Sequence, residues 1–226
     1  GALIEVNAET DFVSRNKDFQ DFVSTTASLA LKSDGNIETL KSQAYPETNR
    51  NVLEELTHQI STIGENMSLR RVKCINVQKG FVASYMHNTL TPTLGKIGVL
   101  VALSSEAEID FLKELGKQIA MHIAATNPLS LSKDTLDSTE IEKERKFLSE
   151  QARESGKSED IIEKMLEGRM KKFYEEVCLL DQTFVIDGEN KVSTALRSFS
   201  EEIGSDVTIT GFIRFALGEG IERKDE

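Results

Sequence analysis

The chain has 226 residues, 38% of them hydrophobic and 29% charged, with a formal net charge of −11; that is room for one large or two smaller domains and too apolar for wholesale disorder. The acidic balance disfavours direct nucleic-acid binding, since phosphates want Lys and Arg, and suits a protein partner. No apolar run approaches the ~18 residues of a membrane span, and Gly1 opens no signal-peptide pattern.

Ala2-Leu3-Ile4 with Val6 reads as a strand, with Glu5 on its other side. Thr10 and Asp11 are residue types that cap a helix, because their side-chain oxygens accept from free backbone N–H groups. Phe12 therefore sits at a strand-to-helix corner. One reading packs the ring in the core, where large aromatics usually lie. The other presents it outward beside a carboxylate, a pair suited to prising open another protein's surface. Asn16 is a second cap, and Phe19, Phe22, Val23, Ala27 and Ala30 follow at helical spacing until Asp34-Gly35. Residues 47–63 read as another helix, with Leu53, Leu56, Ile60 and Ile63 on one face. Gly64-Glu65-Asn66 then turns the chain.

From 69 to 103 the texture becomes period two and β-branched. Val72, Cys74 and Val77 belong to one strand, Gln78-Lys79-Gly80 turns, and 81–86 returns as a hairpin. Residues 90–95 form a loop with Pro92. Residues 97–103 are nearly all apolar, as for a strand buried on both sides. Ser105-Glu106-Ala107-Glu108 is a capping-box pattern opening a helix with Ile109, Leu112, Leu115, Ile119 and Ile123 on its stripe, ended by Pro128. Asp110-Phe111-Leu112 faintly echoes Asp11-Phe12-Val13, which hints at two related subdomains.

Residues 139–176 are densely charged, with a break at Ser155-Gly156-Lys157-Ser158. Ile141, Leu148 and Ala152 line one arm; Ile162, Met165, Leu166, Met170 and Phe173 line the other. The pattern is that of a projecting antiparallel helical hairpin, a short coiled coil. Residues 177–180 and 183–186 read as short strands, Asp187-Gly188-Glu189-Asn190 as a turn, 192–199 as a helix with Val192, Leu196 and Phe199 inward, and 207–217 as a strand with Gly211 at a bulge. The expected class is α+β. Two small antiparallel-sheet-plus-helix subdomains span 1–103 and 104–138 with 177–222; the hairpin is inserted at 139–176, and a tail at 223–226 frays.

Chemistry-bearing patterns are scarce. Gly95-Lys96 lacks the earlier Gly and the following Ser or Thr of a phosphate-cradling loop. His58, His87 and His122 have no metal-ligand spacing, and no Ser or Cys sits in a nucleophile elbow. Cys74 and Cys178 read as core thiols. The chain is expected to be no enzyme and to carry no cofactor or metal; a hydrolase with dispersed catalytic residues is the remaining enzymatic reading. His122, at the edge of its stripe, reads as a hydrogen-bonded histidine bordering the core, Ile97-Gly98 as core strand and Val185-Ile186 as strand.

Several blocks together carry a resemblance. They are Glu9-Thr10-Asp11-Phe12-Val13-Ser14-Arg15-Asn16, Gly64-Glu65-Asn66 with Arg70-Arg71, Gly98-Val99-Leu100-Val101 and residues 118–125. Glu167-Gly168-Arg169-Met170 and Gly211-Phe212-Ile213-Arg214-Phe215 with Gly218-Glu219-Gly220-Ile221 follow in order. The sequence resembles the elongation factor Ts family, exchange factors for elongation factor Tu. The resemblance implies that Thr10, Asp11, Phe12 and Val13 press on elongation factor Tu near its magnesium site, and that Ile97, Gly98, His122, Val185 and Ile186 make further contacts. Ile186 stands where the family often has Met. The resemblance also implies partner or homodimer contact through the hairpin, and a small N-terminal helical module whose opening motif is absent here, so the natural N-terminus is expected to have been cut away. The expected setting is cytoplasmic, with an organelle matrix kept open. The alternative is a dimerising interaction scaffold, acting through the hairpin without exchange activity.

Overall fold

A computed structural model of the chain describes residues 1–154 and 158–221. Of the expected break at 155–158, residues 155–157 lie outside the described residues, as does the tail at 223–226. The architecture is α+β, with two small antiparallel sheets and helices laid on them.

The first sheet is β1 (Ala2–Ala8) against β2 (Met67–Cys74), paired from Ala2 with Cys74 to Ala8 with Met67. Alternation sends Val6 toward α1 (Lys17–Ala30), α2 (Ile37–Ser42) and α3 (Val52–Ile63), while Leu3 and Glu5 face the other way. Phe19, Phe22, Leu40, Val52, Leu56 and Met67 fill the resulting core. Glu5 is only 4% exposed, because Leu3 beside it packs on the second sheet.

The helix expected at 47–63 begins only at Val52. Asn51 and Glu54 form a reciprocal capping box that fixes the start there. Its inward face is Val52, Glu55 and Leu56, so Leu53 points to solvent, against expectation. The six-residue α2, capped by Asn36, was not expected at all.

The second sheet has the order β3-β4-β5, from β3 (Gly80–Thr91), β4 (Leu94–Ser105) and β5 (Val207–Ala216). The hairpin expected between residues 72–77 and 81–86 does not form. β2 returns to β1, and β3 instead pairs with β4 across a tight turn at Pro92-Thr93, where a longer loop was expected. Gly80 shows why β3 keeps to β4: its φ is +135°, and a Cβ there would lie 1.9 Å from the Leu103 carbonyl oxygen. β4 is the central strand and is buried from Gly98 to Leu103, as its apolar run implied. The bulge on β5 falls beside Gly211, where the register shifts opposite Ala102 and Leu103.

α4 (Ile109–Thr126) packs on this sheet through Leu112, Leu115, Ile119 and Ile123; Ile109, expected on that stripe, is exposed. The expected Ser105 cap is not made. The Ser105 hydroxyl donates to the Asp206 carbonyl at 2.7 Å and accepts from the Ala107 N–H at 3.1 Å, tying β4 to the entry of β5. Asn127, with φ 48°, ends the helix before Pro128.

α5 (Ser138–Arg153) and α6 (Glu159–Val177) pack on one another, with Leu148, Ala152, Ile162 and Met170 the buried residues along them. The strands expected at 177–180 and 183–186 are absent from the described residues. α6 runs through Val177, a single 3-10 turn covers Leu179–Asp181, and Thr183 makes only an isolated bridge to Lys191. α7 (Val192–Ile203) then buries Val192 and leads to β5. The first core draws on residues from Val6 to Val72, the second on residues from Val99 to Ile209. Cys178 is buried, which pushes its thiol pKa up, and the partly buried Cys74 donates to the Ala30 carbonyl at 3.2 Å; both are free.

Candidate partner-binding surface

After β1 the chain does not enter α1 directly. A single 3-10 turn, Val13–Arg15, comes between, and Asn16 alone caps α1, accepting from the Asp18 and Phe19 N–H groups. Thr10 and Asp11, expected as caps, are free for other work. The Thr10 hydroxyl donates to the Glu65 carboxylate, 2.9 Å from one oxygen and 2.8 Å from the other. The Asp11 carboxylate stands 3.7 Å from Lys96 Nζ on β4, both side chains well exposed. The Asp11 carbonyl accepts from the Ser14 hydroxyl at 2.6 Å, and the Phe12 carbonyl from the Arg15 N–H at 3.1 Å.

These bonds set the orientation of two neighbouring apolar side chains. Val13 is 3% exposed and belongs to the first core; Phe12, one residue earlier, is 83% exposed. Of the two readings of Phe12, the outward one describes the structure. In this single turn the Val13 side chain points into the core and the Phe12 side chain, leaving the backbone in a different direction, points to solvent. Asp11 and Ser14 rim an open groove of about 810 Å³ between α1 and the β3–β4 turn, while Phe12 is not among its lining residues.

Ile97 and Gly98 lie on β4 next to Lys96. Ile97 is partly buried against the second core. Gly98 is buried, and a Cβ there would meet Leu3 Cδ1 at 2.6 Å, so its lack of a side chain lets β1 approach β4.

His122 is 0% exposed. Its Nδ1 accepts from the Val185 N–H at 3.2 Å, which leaves the proton on Nε2 to be donated to Gln182 Oε1 at 2.8 Å. The Thr126 hydroxyl reaches the same oxygen at 3.0 Å, and Gln182 Nε2 donates to the Glu176 carbonyl at 2.7 Å. Burial lowers the His122 pKa, opposed by the bond to Gln182. The ring is thus neutral and enclosed, and the side chain expected to touch a partner does not itself reach the surface. Val185 and Ile186, each about half exposed, do reach it, on a turn closed by the Gly188 N–H to the Phe184 carbonyl at 2.8 Å.

The expected residues therefore fall into two groups: the 10–13 corner with Lys96 and its β4 neighbours, and the 185–186 turn with His122 beneath it. Among the described residues no set of three or more His, Cys, Asp or Glu is placed to hold a metal. None of the described helices is long and apolar enough to cross a membrane. The contacts of Glu65 with Thr10 and of Lys96 with Asp11 were not foreseen. The register offered a signal for the first: Ala8 pairs with Met67, and one further step on the same face sets Thr10 opposite Glu65.

The Elongation factor TS family model matches residues 9–219. The chain is 55% identical over 224 residues to an elongation factor Ts of Paramagnetospirillum magneticum, covering 99% of this chain and 72% of that protein. It is 54% identical over 223 residues to one of Rhodospirillum centenum, covering 99% and 73%. A third, from Parvibaculum lavamentivorans, is 51% identical over 225 residues, covering 100% and 73%.

Proposed function

The chain belongs to the elongation factor Ts family, and on that footing we propose that it speeds GDP release from elongation factor Tu in protein synthesis. The observation that carries this is Phe12, held 83% exposed on a turn whose next residue is locked in the core. An apolar ring in water has no stabilising role in its own fold, while a rigid aromatic is well suited to fill a partner's pocket. Phe12 wedges between side chains of the partner's nucleotide domain, and the Asp11 carboxylate displaces a neighbouring helix. The partner's magnesium and GDP phosphates then lose ligands.

No bond is made or broken by this chain. It acts by binding the open, nucleotide-free form of its partner more tightly than the GDP form, and the ratio of those affinities limits the effect. The coupling is reciprocal: as much as the chain weakens GDP, GDP weakens the chain. Val185 and Ile186 form a second contact, with His122 holding their turn from below, and Ile97 and Gly98 support the β4 segment beside Asp11. The site of action is the cytoplasm, where translation runs.

The test is release of fluorescent GDP from purified elongation factor Tu in stopped flow. The release rate should rise with added chain and saturate. A rate independent of the chain overturns the reading.

A second activity is favoured by Phe147 on α5 and Ile161 on α6, large apolar residues that are both about half exposed. In this reading α5 and α6 form a short projecting coiled coil that pairs with a second copy. Sedimentation should then show a dimer that becomes a monomer on deletion of residues 139–176; a monomeric parent chain refutes it.

A further inference from the structure

We infer that Glu65 is a positioning residue for the Phe12 corner, so that exchange depends on a carboxylate that need not touch the partner. The inference rests on the wedge reading above. It begins from the end of the first sheet. The β1–β2 ladder closes at Ala8 and Met67, and beyond it the two chains diverge, β1 toward the corner and β2 back to Gly64, the left-handed end of α3. A strand leaving its ladder loses its backbone bonds and tends to fray. Here the register is continued by side chains instead. Thr10 and Glu65 face each other where the next pair on that face would be, and the hydroxyl is shared between both carboxylate oxygens at 2.9 and 2.8 Å.

The acceptor is charged, which makes this bond shorter and stronger than one between neutral groups. It holds the corner two residues before Phe12, while Val13 holds it one residue after. Asp11 between them faces Lys96 at 3.7 Å. With both ends fixed, the ring stays in one place, and less conformational freedom is lost when a partner closes around it. Without Glu65 only the Val13 side remains, and the ring swings with the loosened strand end. The Asp11–Lys96 pair cannot replace the anchor: at 3.7 Å it is longer than a hydrogen bond, whereas Thr10–Glu65, although also exposed, is bonded at 2.8 to 2.9 Å.

Two measurements on the 226-residue chain separate this inference from the reading beneath it. Hydrogen exchange at the Arg15 and Asn16 amides, which close the turn onto Phe12 and Val13, reports the corner with no partner present. Glu65→Ala and Thr10→Val should each speed it by about threefold, and Thr10→Ser should not. In the GDP-release assay Glu65→Ala should raise the concentration of chain needed for half-maximal release by about threefold to fivefold and leave the maximal rate near wild type, while Glu65→Gln, whose amide oxygen still accepts from Thr10, should fall between Glu65→Ala and the parent. In hydrogen exchange the double variant Glu65→Ala with Thr10→Val should be no faster than either single one, since each removes the same bond. Unchanged exchange at Arg15 and Asn16 in Glu65→Ala overturns the brace whatever the partner does. Faster exchange with unchanged half-maximal concentration overturns its functional part. If Phe12→Ala itself releases GDP normally, the wedge reading fails instead, and the exchange data still decide whether Glu65 holds the corner.

Discussion

His122 on α4 and Gln182, in the turn after α6, share a 2.8 Å hydrogen bond inside a site that water does not reach. The opposite ring nitrogen accepts from the Val185 N–H. A proton added to Nδ1 would set donor against donor and break that tie. Burial, only partly offset by Gln182, holds the folded pKa below the ordinary 6.5. The unfolded chain therefore takes up the proton first as pH falls. The stability from a neutral His122 is complete above 6.5 and is lost as the pH drops toward and through the folded value. Urea unfolding at about pH 7.5 and about pH 5.5 should show a loss in the parent chain that shrinks in His122→Gln. Equal losses in both would show that the ring does not carry the effect.

Glu5 supports a different window. Burial pushes its carboxyl up, but the Gly218 N–H at 2.8 Å, Arg70 at 3.0 Å and Arg71 together outweigh burial and leave it below 4.5. These bonds join β1 and β2 to the turn after β5. Glu5→Gln should cost about 2 to 3 kcal/mol near neutral pH, because the partly buried Arg70 loses its counter-charge and Arg71 keeps only the Glu219 carboxylate at 3.5 Å. The charged carboxylate contributes fully above 4.5, and that contribution disappears as pH falls through the lower folded value, so the parent and variant denaturation curves should converge in acid. A constant gap down to strongly acidic pH would contradict this.

Packing between α4 and β3 turns on Gly116. A Cβ placed there would lie 2.4 Å from Ala83 Cβ, an atom that cannot rotate away. Gly116→Ala should destabilise by about 1 to 3 kcal/mol, more than offsetting the helix-propensity gain of removing a glycine. Ala83→Gly in the same chain should recover part of the loss, measured by chemical denaturation. Full additivity of the two changes would mean that they do not touch.

The helices that the sequence revealed most clearly are those with a strong apolar stripe: Phe19 and Phe22 on α1, Leu112 to Ile123 on α4. Their ends were harder to find, because Asn51, Asn16 and Asn36 compete with nearby Ser, Thr and Asp as caps, and only geometry decides which oxygen meets a free N–H. Strand β4 was legible from its unbroken apolar run. Its partners were not, since β1 meets β2 only after the chain has passed through α1, α2 and α3, and adjacency in sequence suggested β2 with β3. Residues 177–186 have the β-branched and aromatic texture of strands, yet their backbone groups are taken by the end of α6, a 3-10 turn and the His122 ring. At the site, pattern alone favoured a buried Phe12, since large aromatics usually lie inside, and only the family resemblance pointed outward. Its exposure follows from Val13 taking the inward position, which a single strand-to-helix corner cannot reveal in advance.

The most direct test of the account is the Phe12 ring itself, read by stopped-flow GDP release from elongation factor Tu. Phe12→Ala leaves the fold intact, since the ring is 83% exposed, and it should weaken the action of the chain by about 2 kcal/mol, roughly thirtyfold in the concentration needed. Asp11→Ala added to it should slow release further. A double variant that folds normally and still releases GDP at the parent rate would contradict the account.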